Sequence, residues 1–376
     1  MAAHPGATPA RIGSVRPEGW AYPTAPMIVY WELTNACGLA CSHCRATAMP
    51  NPAPGELSTD EAIAVLDSIT RFGDPPPHVV MTGGDPLRRP DLSTLIRAAM
   101  DRGIGVSLAP AVTPLLTRDR LAELRDDGIA AISLSLDGAT AASHDGLRGV
   151  PGTFDATLEA LGWAAEVGLP VQVNTLVTES TAAELPAIRD LLTEQVVMRW
   201  SLFFLISVGR GATLTEVSPG EAERLMRWLW DVAREAPFQV KTTEAMMYRR
   251  VVAKALRRRG LDDAAIERHP ISRGFGIRDG NGIVFLAHDG TVTPSGFLPV
   301  SVGNVRDTDL VELYRDAPLM KALRDPDQFA GRCGSCEYRM WCGGSRSRAY
   351  AWTGDPLETD PLCPYVPRGG ALAGTH

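Results

Sequence analysis

The chain has 376 residues, 45% hydrophobic and 22% charged, an ordinary globular composition with room for one large domain and a smaller one. Its net charge of −7 argues against a dedicated nucleic-acid binder, and no apolar run approaches the length of a membrane span. Residues 1–26 are rich in Pro, Ala and Gly and lack the apolar core of a signal peptide. They are expected to form a loose arm on a cytoplasmic protein.

From residue 27 to about 235, strand and helix patterns alternate. Strands are expected at 27–33, 78–82, 105–109, 130–136, 171–177 and 200–206. They are short, apolar and unalternating, the pattern of parallel strands covered on both faces. Several helix starts are marked: Ser58 with Glu61 and Thr181 with Glu184 read as capping boxes, and Ser218 precedes Pro219 at a first helical turn. Six β-then-α units predict an α/β fold, a partial parallel (β/α)6 barrel open on one side with right-handed crossovers. Sites in such folds lie at the carboxyl ends of the strands.

The first strand runs into Cys37, Cys41 and Cys44, spaced C-x3-C-x2-C. One tight loop can aim three thiolates at a common point. On a four-iron cluster, three thiolates leave one iron without a protein ligand, and a substrate can occupy that open position. Zinc is the alternative, but it needs a fourth ligand, and His43, between Cys41 and Cys44, is too constrained to serve with both. The chain holds seven cysteines, an odd number for a disulfide framework. They divide as three plus four, the second set being Cys333, Cys336, Cys342 and Cys363, which suits two iron–sulfur sites in a reducing cytosol.

The cysteine loop after a first strand resembles that of the radical S-adenosylmethionine (radical SAM) superfamily. In that family the free iron is chelated by the amino and carboxylate groups of SAM, and one electron cleaves SAM to a 5′-deoxyadenosyl radical that abstracts hydrogen from substrate. The resemblance implies an oxidoreductase with a 4Fe–4S cluster, SAM and an electron donor such as flavodoxin or ferredoxin. Gly83, Gly84, Asp85 and Pro86, ending the second strand, look like the family's Gly-Gly-Glu-Pro motif, which binds the SAM amino group; here Asp85 stands where Glu is usual. Ser135 and Asp137 on the fourth strand match residues used near the SAM ribose, and Arg148 matches an arginine set against the methionine carboxylate. Asn174 on the fifth strand and the turn at 208–211 are further expected contacts. The bland reading of these residues is buried serines bonded to backbone and a surface arginine.

From 236 to 376 the pattern changes. The segment 248–260 is a basic helix with Arg249, Arg250, Lys254, Arg257, Arg258 and Arg259, read as a solvated face or as a surface for an anionic substrate or acidic electron donor. Residues 282–287 and 291–294 flank His288-Asp289-Gly290, a hairpin by its Asp-Gly turn. The four late cysteines could hold structural zinc. Behind a radical SAM core they resemble the SPASM or twitch extension with one auxiliary 4Fe–4S cluster. In the complete extension a cysteine follows a Gly-x-Val-x-Pro stretch, and here Ser295 takes that place. The tail resembles the SPASM subgroup of haem-maturing enzymes, which implies a small-molecule, tetrapyrrole-like substrate. A ribosomally made peptide and a sugar or nucleoside are the alternatives, and an iron–sulfur electron carrier is the non-enzyme reading.

Overall fold

The computed structural model describes residues 22–46 and 48–368. Its strands are β1 (Ile28–Glu32), β2 (His78–Thr82), β3 (Val106–Leu108), β4 (Ala131–Ser135), β5 (Val171–Val177), β6 (Arg199–Phe204), β7 (Gln239–Thr243), β8 (Ile283–Leu286), β9 (Thr291–Thr293) and β10 (Gly303–Asn304). They join one sheet in the order β10-β9-β8-β1-β2-β3-β4-β5-β6-β7. The run from β8 through β1 to β7 is parallel throughout; β9 and β10 pair antiparallel. The six expected strands are present, with helices between them.

The parallel run is longer than the six expected units. β7 pairs with β6 from Arg199–Gln239 to Phe203–Thr243, and β8 pairs with the edge of β1. The expected division near residue 235 therefore falls inside one continuous sheet. β7 escapes a hydrophobicity reading because its sequence is QVKTT. Only one of its five residues is apolar, and the fold makes it a strand by pairing rather than by propensity.

Nor are the strands apolar on both faces. Val171, Val173 and Val177 of β5 join the helix-packed core, as do Trp200, Leu202 and Phe204 of β6 and Ile132 and Leu134 of β4. The alternate positions, Ser133, Ser135, Gln172 and Asn174, lie on the opposite face and are half-buried. Period-two alternation gives the sheet one apolar face for helices and one polar face for a ligand.

Caps set the helix entries. Ser58 and Glu61 form a reciprocal capping box at helix Thr59–Thr70, and the Ser218 hydroxyl accepts from the Glu221 N–H at 3.1 Å. The box expected at Thr181 does not form. The Thr181 hydroxyl donates to the Leu176 carbonyl at 2.8 Å, while Glu184 accepts from the Ala139 N–H and the Ser143 hydroxyl, both at 2.7 Å. Residues 1–21 of the expected arm lie outside the described residues. Tyr22 and Ala25 are buried, and the Tyr314 hydroxyl donates to the Tyr22 carbonyl at 2.6 Å. Residues 22–26 are thus part of the packed body.

Candidate active site

The Cys37–Cys44 loop follows β1 directly, at the carboxyl end of the parallel strands. Its neck is closed by the Cys37 N–H to the Met49 carbonyl (2.8 Å) and the Met49 N–H to the Asn35 carbonyl (3.0 Å). Segments that follow three of the strands then hold it. After β2, the Gly84 and Asp85 N–H groups donate to the Thr34 and Ala36 carbonyls at 2.8 and 2.7 Å. After β4, the Leu147 carbonyl accepts from Ser42 N–H and hydroxyl at 3.0 and 3.1 Å. After β6, the Arg210 N–H donates to the Cys44 carbonyl at 3.0 Å. Contact is close enough to demand glycine: a Cβ on Gly84 would lie 2.4 Å from the Ala36 oxygen.

The expected cofactor residues gather around this loop in differing states. Asp85 is fully buried, and its carboxylate accepts from the Leu87 N–H (3.2 Å) and the Thr113 hydroxyl (3.0 Å). Burial pushes its carboxyl pKa up despite those bonds. Asp137 accepts from the Leu176 N–H at 2.7 Å and from Arg148, and its own N–H donates to His144 Nδ1 at 3.0 Å. Arg148, ending helix Ala141–Arg148, also reaches the Cys41 sulfur at 3.7 Å. It is half-buried beside the loop, with its side chain 13% exposed, and not a surface residue. Asn174 accepts from Gln172 at 2.8 Å on the polar face, paired in register with Ser135. Gly83, Gly84 and Pro86 shape the turn against the loop.

Burial of Cys37 pushes its thiol up. Burial also holds His43 down at about 4, so its ring is neutral at pH 7; the Arg148 charge acts in the same direction. Beside the loop, His43 Nδ1, Arg148 Nε, and Arg210 Nε and Nη2 are buried polar atoms without a hydrogen-bond partner among the described residues. Native proteins satisfy such atoms, so a polar ligand belongs among them. Three thiols with adjacent cationic and polar donors fit an anionic iron–sulfur cluster carrying an amino-acid-like ligand.

Sequence reasoning missed Glu32, the last residue of β1. His288 Nδ1 lies 2.7 Å from one of its oxygens. Arg45 forms an ion pair with the other at 3.1 Å, outside hydrogen-bond alignment. Burial would raise the Glu32 carboxyl, but His288 and Arg45 outweigh it and hold it below its usual value. The Glu32 hydrogen bond raises His288 against its burial. Arg45 also lies over the Phe285 ring at 4.3 Å. The available signal was an acid closing an otherwise apolar strand.

The four late cysteines line one pocket with Arg250, Tyr338, Gly344 and Tyr365. The Cys333 sulfur accepts from the Asp360 N–H and Arg346, both at 3.4 Å; Cys336 accepts from the Tyr338 N–H at 3.4 Å, and Cys363 lies 3.9 Å from Arg250. Burial drives the Cys336 and Cys342 thiols up to about 11 and the Cys363 thiol up to about 12. Buried N–H donors and guanidinium groups around four sulfurs fit an anionic four-thiolate centre. Among the described residues, no three His, Cys, Asp or Glu side chains converge as a single-ion site.

The basic helix, Tyr248–Arg258, is not a uniformly solvated face. Arg249 donates to the Trp341 and Cys342 carbonyls at 3.3 and 3.5 Å, Arg257 donates to the Tyr338 hydroxyl at 2.8 Å, and Arg250 reaches the cysteine pocket. Three of its arginines serve the extension. Ser295 is buried, 3.1 Å from the Ser347 hydroxyl.

A parallel α/β sheet bearing a three-cysteine loop at its carboxyl edge defines a class of barrel enzyme, and the comparisons specify which. Residues 31–192 match the family model of the Radical SAM superfamily. The chain is 37% identical over 343 residues to an AdoMet-dependent heme synthase of Methanosarcina barkeri, covering 91% of this chain and 97% of that one. It is 30% identical over 351 residues to an Fe-coproporphyrin III synthase of the same organism, covering 89% and 87%. Among solved structures it is similar to Streptococcus suis SuiB bound to S-adenosylmethionine, with a TM-score of 0.68 at 17% identity over 91% of this chain and 78% of that one. The chain belongs to the radical SAM superfamily. It is an enzyme of radical chemistry, and the family's cofactors are a 4Fe–4S cluster and SAM. Among the described residues, no helix is long and apolar enough to cross a membrane.

Proposed function

We propose that this radical SAM enzyme modifies the side chains of a tetrapyrrole, by oxidative decarboxylation of propionates. The single observation carrying this reading is the 37% identity to a heme synthase over 91% of the chain. In this reading Cys37, Cys41 and Cys44 hold the SAM-binding cluster. Cys333, Cys336, Cys342 and Cys363 hold a second, fully ligated 4Fe–4S cluster. The SAM contacts are drawn from Gly83, Gly84, Asp85, Pro86, Ser135, Asp137, Arg148 and Asn174. With SAM, the first cluster supplies a carbon radical able to remove a hydrogen atom from an unactivated C–H bond. The chain's own part is to hold three thiols rigidly at the strand ends and to keep polar side chains on the ligand face of the sheet. Residues 27–235 form the catalytic unit and 236–376 the auxiliary unit, with β7 to β10 completing the catalytic sheet. The protein works in the cytoplasm, reduced by a flavodoxin or ferredoxin.

The test is anaerobic incubation of reconstituted protein with SAM, dithionite and Fe-coproporphyrin III. Formation of 5′-deoxyadenosine together with a decarboxylated tetrapyrrole is expected. Deoxyadenosine formed while the tetrapyrrole mass stays constant refutes the substrate reading and leaves the chemistry intact.

A further inference from the structure

The turn after β6 carries an arginine whose backbone anchors the cysteine loop and whose side chain holds two unpartnered nitrogens among the described residues. Arg210 lies between Gly209 and Gly211, and the turn is pressed onto the cysteine loop. Gly209 has φ +55°, and a Cβ there would sit 2.5 Å from the Arg45 carbonyl oxygen. The Arg210 N–H is bonded to the Cys44 carbonyl at 3.0 Å. The side chain therefore departs from a fixed point beside the three thiols.

Its Nε and Nη2 are both buried and without a partner among the described residues. These two nitrogens form one edge of the guanidinium, the edge that grips both oxygens of a carboxylate. Arg148 differs: its terminal nitrogens reach Asp137 and Cys41, and only Nε is unpartnered. Asp137 is already taken by Arg148 and the Leu176 N–H. An unpaired, buried guanidinium edge is costly, and a ligand that brings an acceptor with two oxygens removes that cost.

We propose that Arg210 is the bidentate carboxylate-binding residue of this site, with Arg148 held to Asp137 as its neighbour. Two ligands of the proposed reaction carry a carboxylate: the methionyl part of SAM and the propionates of the tetrapyrrole. The first source rests on family membership alone, and the second rests also on the proposed substrate.

The test measures binding to anaerobically reconstituted protein by equilibrium dialysis, with iron content checked in each variant. If SAM is the source, wild-type protein binds SAM roughly ten-fold or more tightly than decarboxylated SAM, the scale of a charged hydrogen-bonded contact. Arg210→Ala then loses that preference, and Arg210→Lys, which keeps charge but not the fork, recovers only part. If the substrate is the source, Arg210→Ala binds SAM normally but binds Fe-coproporphyrin III roughly ten-fold less tightly. Its tetramethyl ester is then bound alike by wild type and variant. The wild-type comparison of ligands needs no variant to fold. Equal losses for the carboxylate ligand and its carboxylate-free analogue, or no loss for either pair, overturn the assignment. Absence of any tetrapyrrole binding, with the SAM preference intact and lost in Arg210→Ala, removes the substrate reading while Arg210 stands.

Discussion

Replacing Glu32 with Gln tests whether the link between cysteine loop and extension is ionic. Its carboxylate is 5% exposed and meets His288 at 2.7 Å and Arg45 at 3.1 Å, with those partners 19% and 20% exposed. Gln keeps the shape and one acceptor but leaves the Arg45 charge without its counter-ion. Breaking a fully buried pair costs about 3–5 kcal/mol; with partners partly wet, about 2–3 kcal/mol is expected here. The pH dependence follows from the two shifts. His288 is raised, so its contribution is complete below its unfolded pKa near 6.5 and fades as pH rises through the folded value. Glu32 is lowered, so its contribution is complete above its unfolded value and fades as pH falls through the folded one. Asp289 and Glu56 also act on His288 and favour its charge. The cost of Glu32→Gln is therefore largest near pH 5.5 and smaller, by up to about 1 kcal/mol, at pH 8.5, because the His288 charge is lost as pH rises. Anaerobic urea unfolding of both proteins at the two pH values measures it. An equal or larger cost at pH 8.5 refutes the ionic account.

The remaining predictions concern the two cysteine sets and one buried acid. Wild-type reconstituted protein should hold about eight irons; changing Cys37, Cys41 and Cys44 together to Ala should leave about four and abolish SAM cleavage, by iron assay and chromatography of 5′-deoxyadenosine. Cys336→Ala should remove about four irons yet leave dithionite-driven SAM cleavage, whereas one zinc with about four irons in wild type would mark the late set as a zinc site. Glu244, buried beside Asp279, is pushed well above the usual carboxyl range by burial first and by Asp279 second. A raised acid loses stability as pH climbs above its unfolded value, so Glu244→Gln should gain stability relative to wild type between pH 5 and 8; a gain that shrinks with pH contradicts this.

Both cysteine sets were legible because their spacing is local. Three thiols within eight residues, or four within residues 333–363 that begin with a C-x2-C pair, can be picked out as sets without tertiary knowledge. The parallel order of β1 to β6 was legible for a similar reason, since each strand is a short apolar run followed by a helix start. β7 was not, because Lys241, Thr242 and Thr243 carry no burial signal and are strand only by pairing with β6. Thr181 and Glu184 show the opposite failure. The local pattern is complete, but the Glu184 carboxylate is claimed by Ala139 and Ser143 of another unit. Glu32 and His288 meet across 256 residues, and no spacing rule reaches that far.

The extension's hold on the barrel explains why its tail motif is so rich in polar residues. Arg348 is completely buried, and every part of its guanidinium is used. Nε donates to Glu216 at 2.8 Å, one terminal nitrogen to the Glu244 carbonyl at 2.7 Å, and the other to the Leu205 carbonyl at 2.9 Å. The two carbonyl acceptors come from the ends of β6 and β7, the same end that carries the cysteine loop, and Glu216 comes from the segment between those strands. The helix holding Arg348 begins four residues after Cys342, while Asp360, 3.5 Å from Arg348, lies three residues before Cys363. One side chain thus connects the strand ends to both flanks of the late cysteine set. A seam of apolar contacts would tolerate sliding, because hydrophobic attraction has no direction. A satisfied guanidinium fixes angle as well as distance, because each of its donors has one acceptor position. The spacing between the two cysteine sets is therefore set by the directional bonds of Arg348 and Glu32, with the apolar core supplying the cohesion behind them.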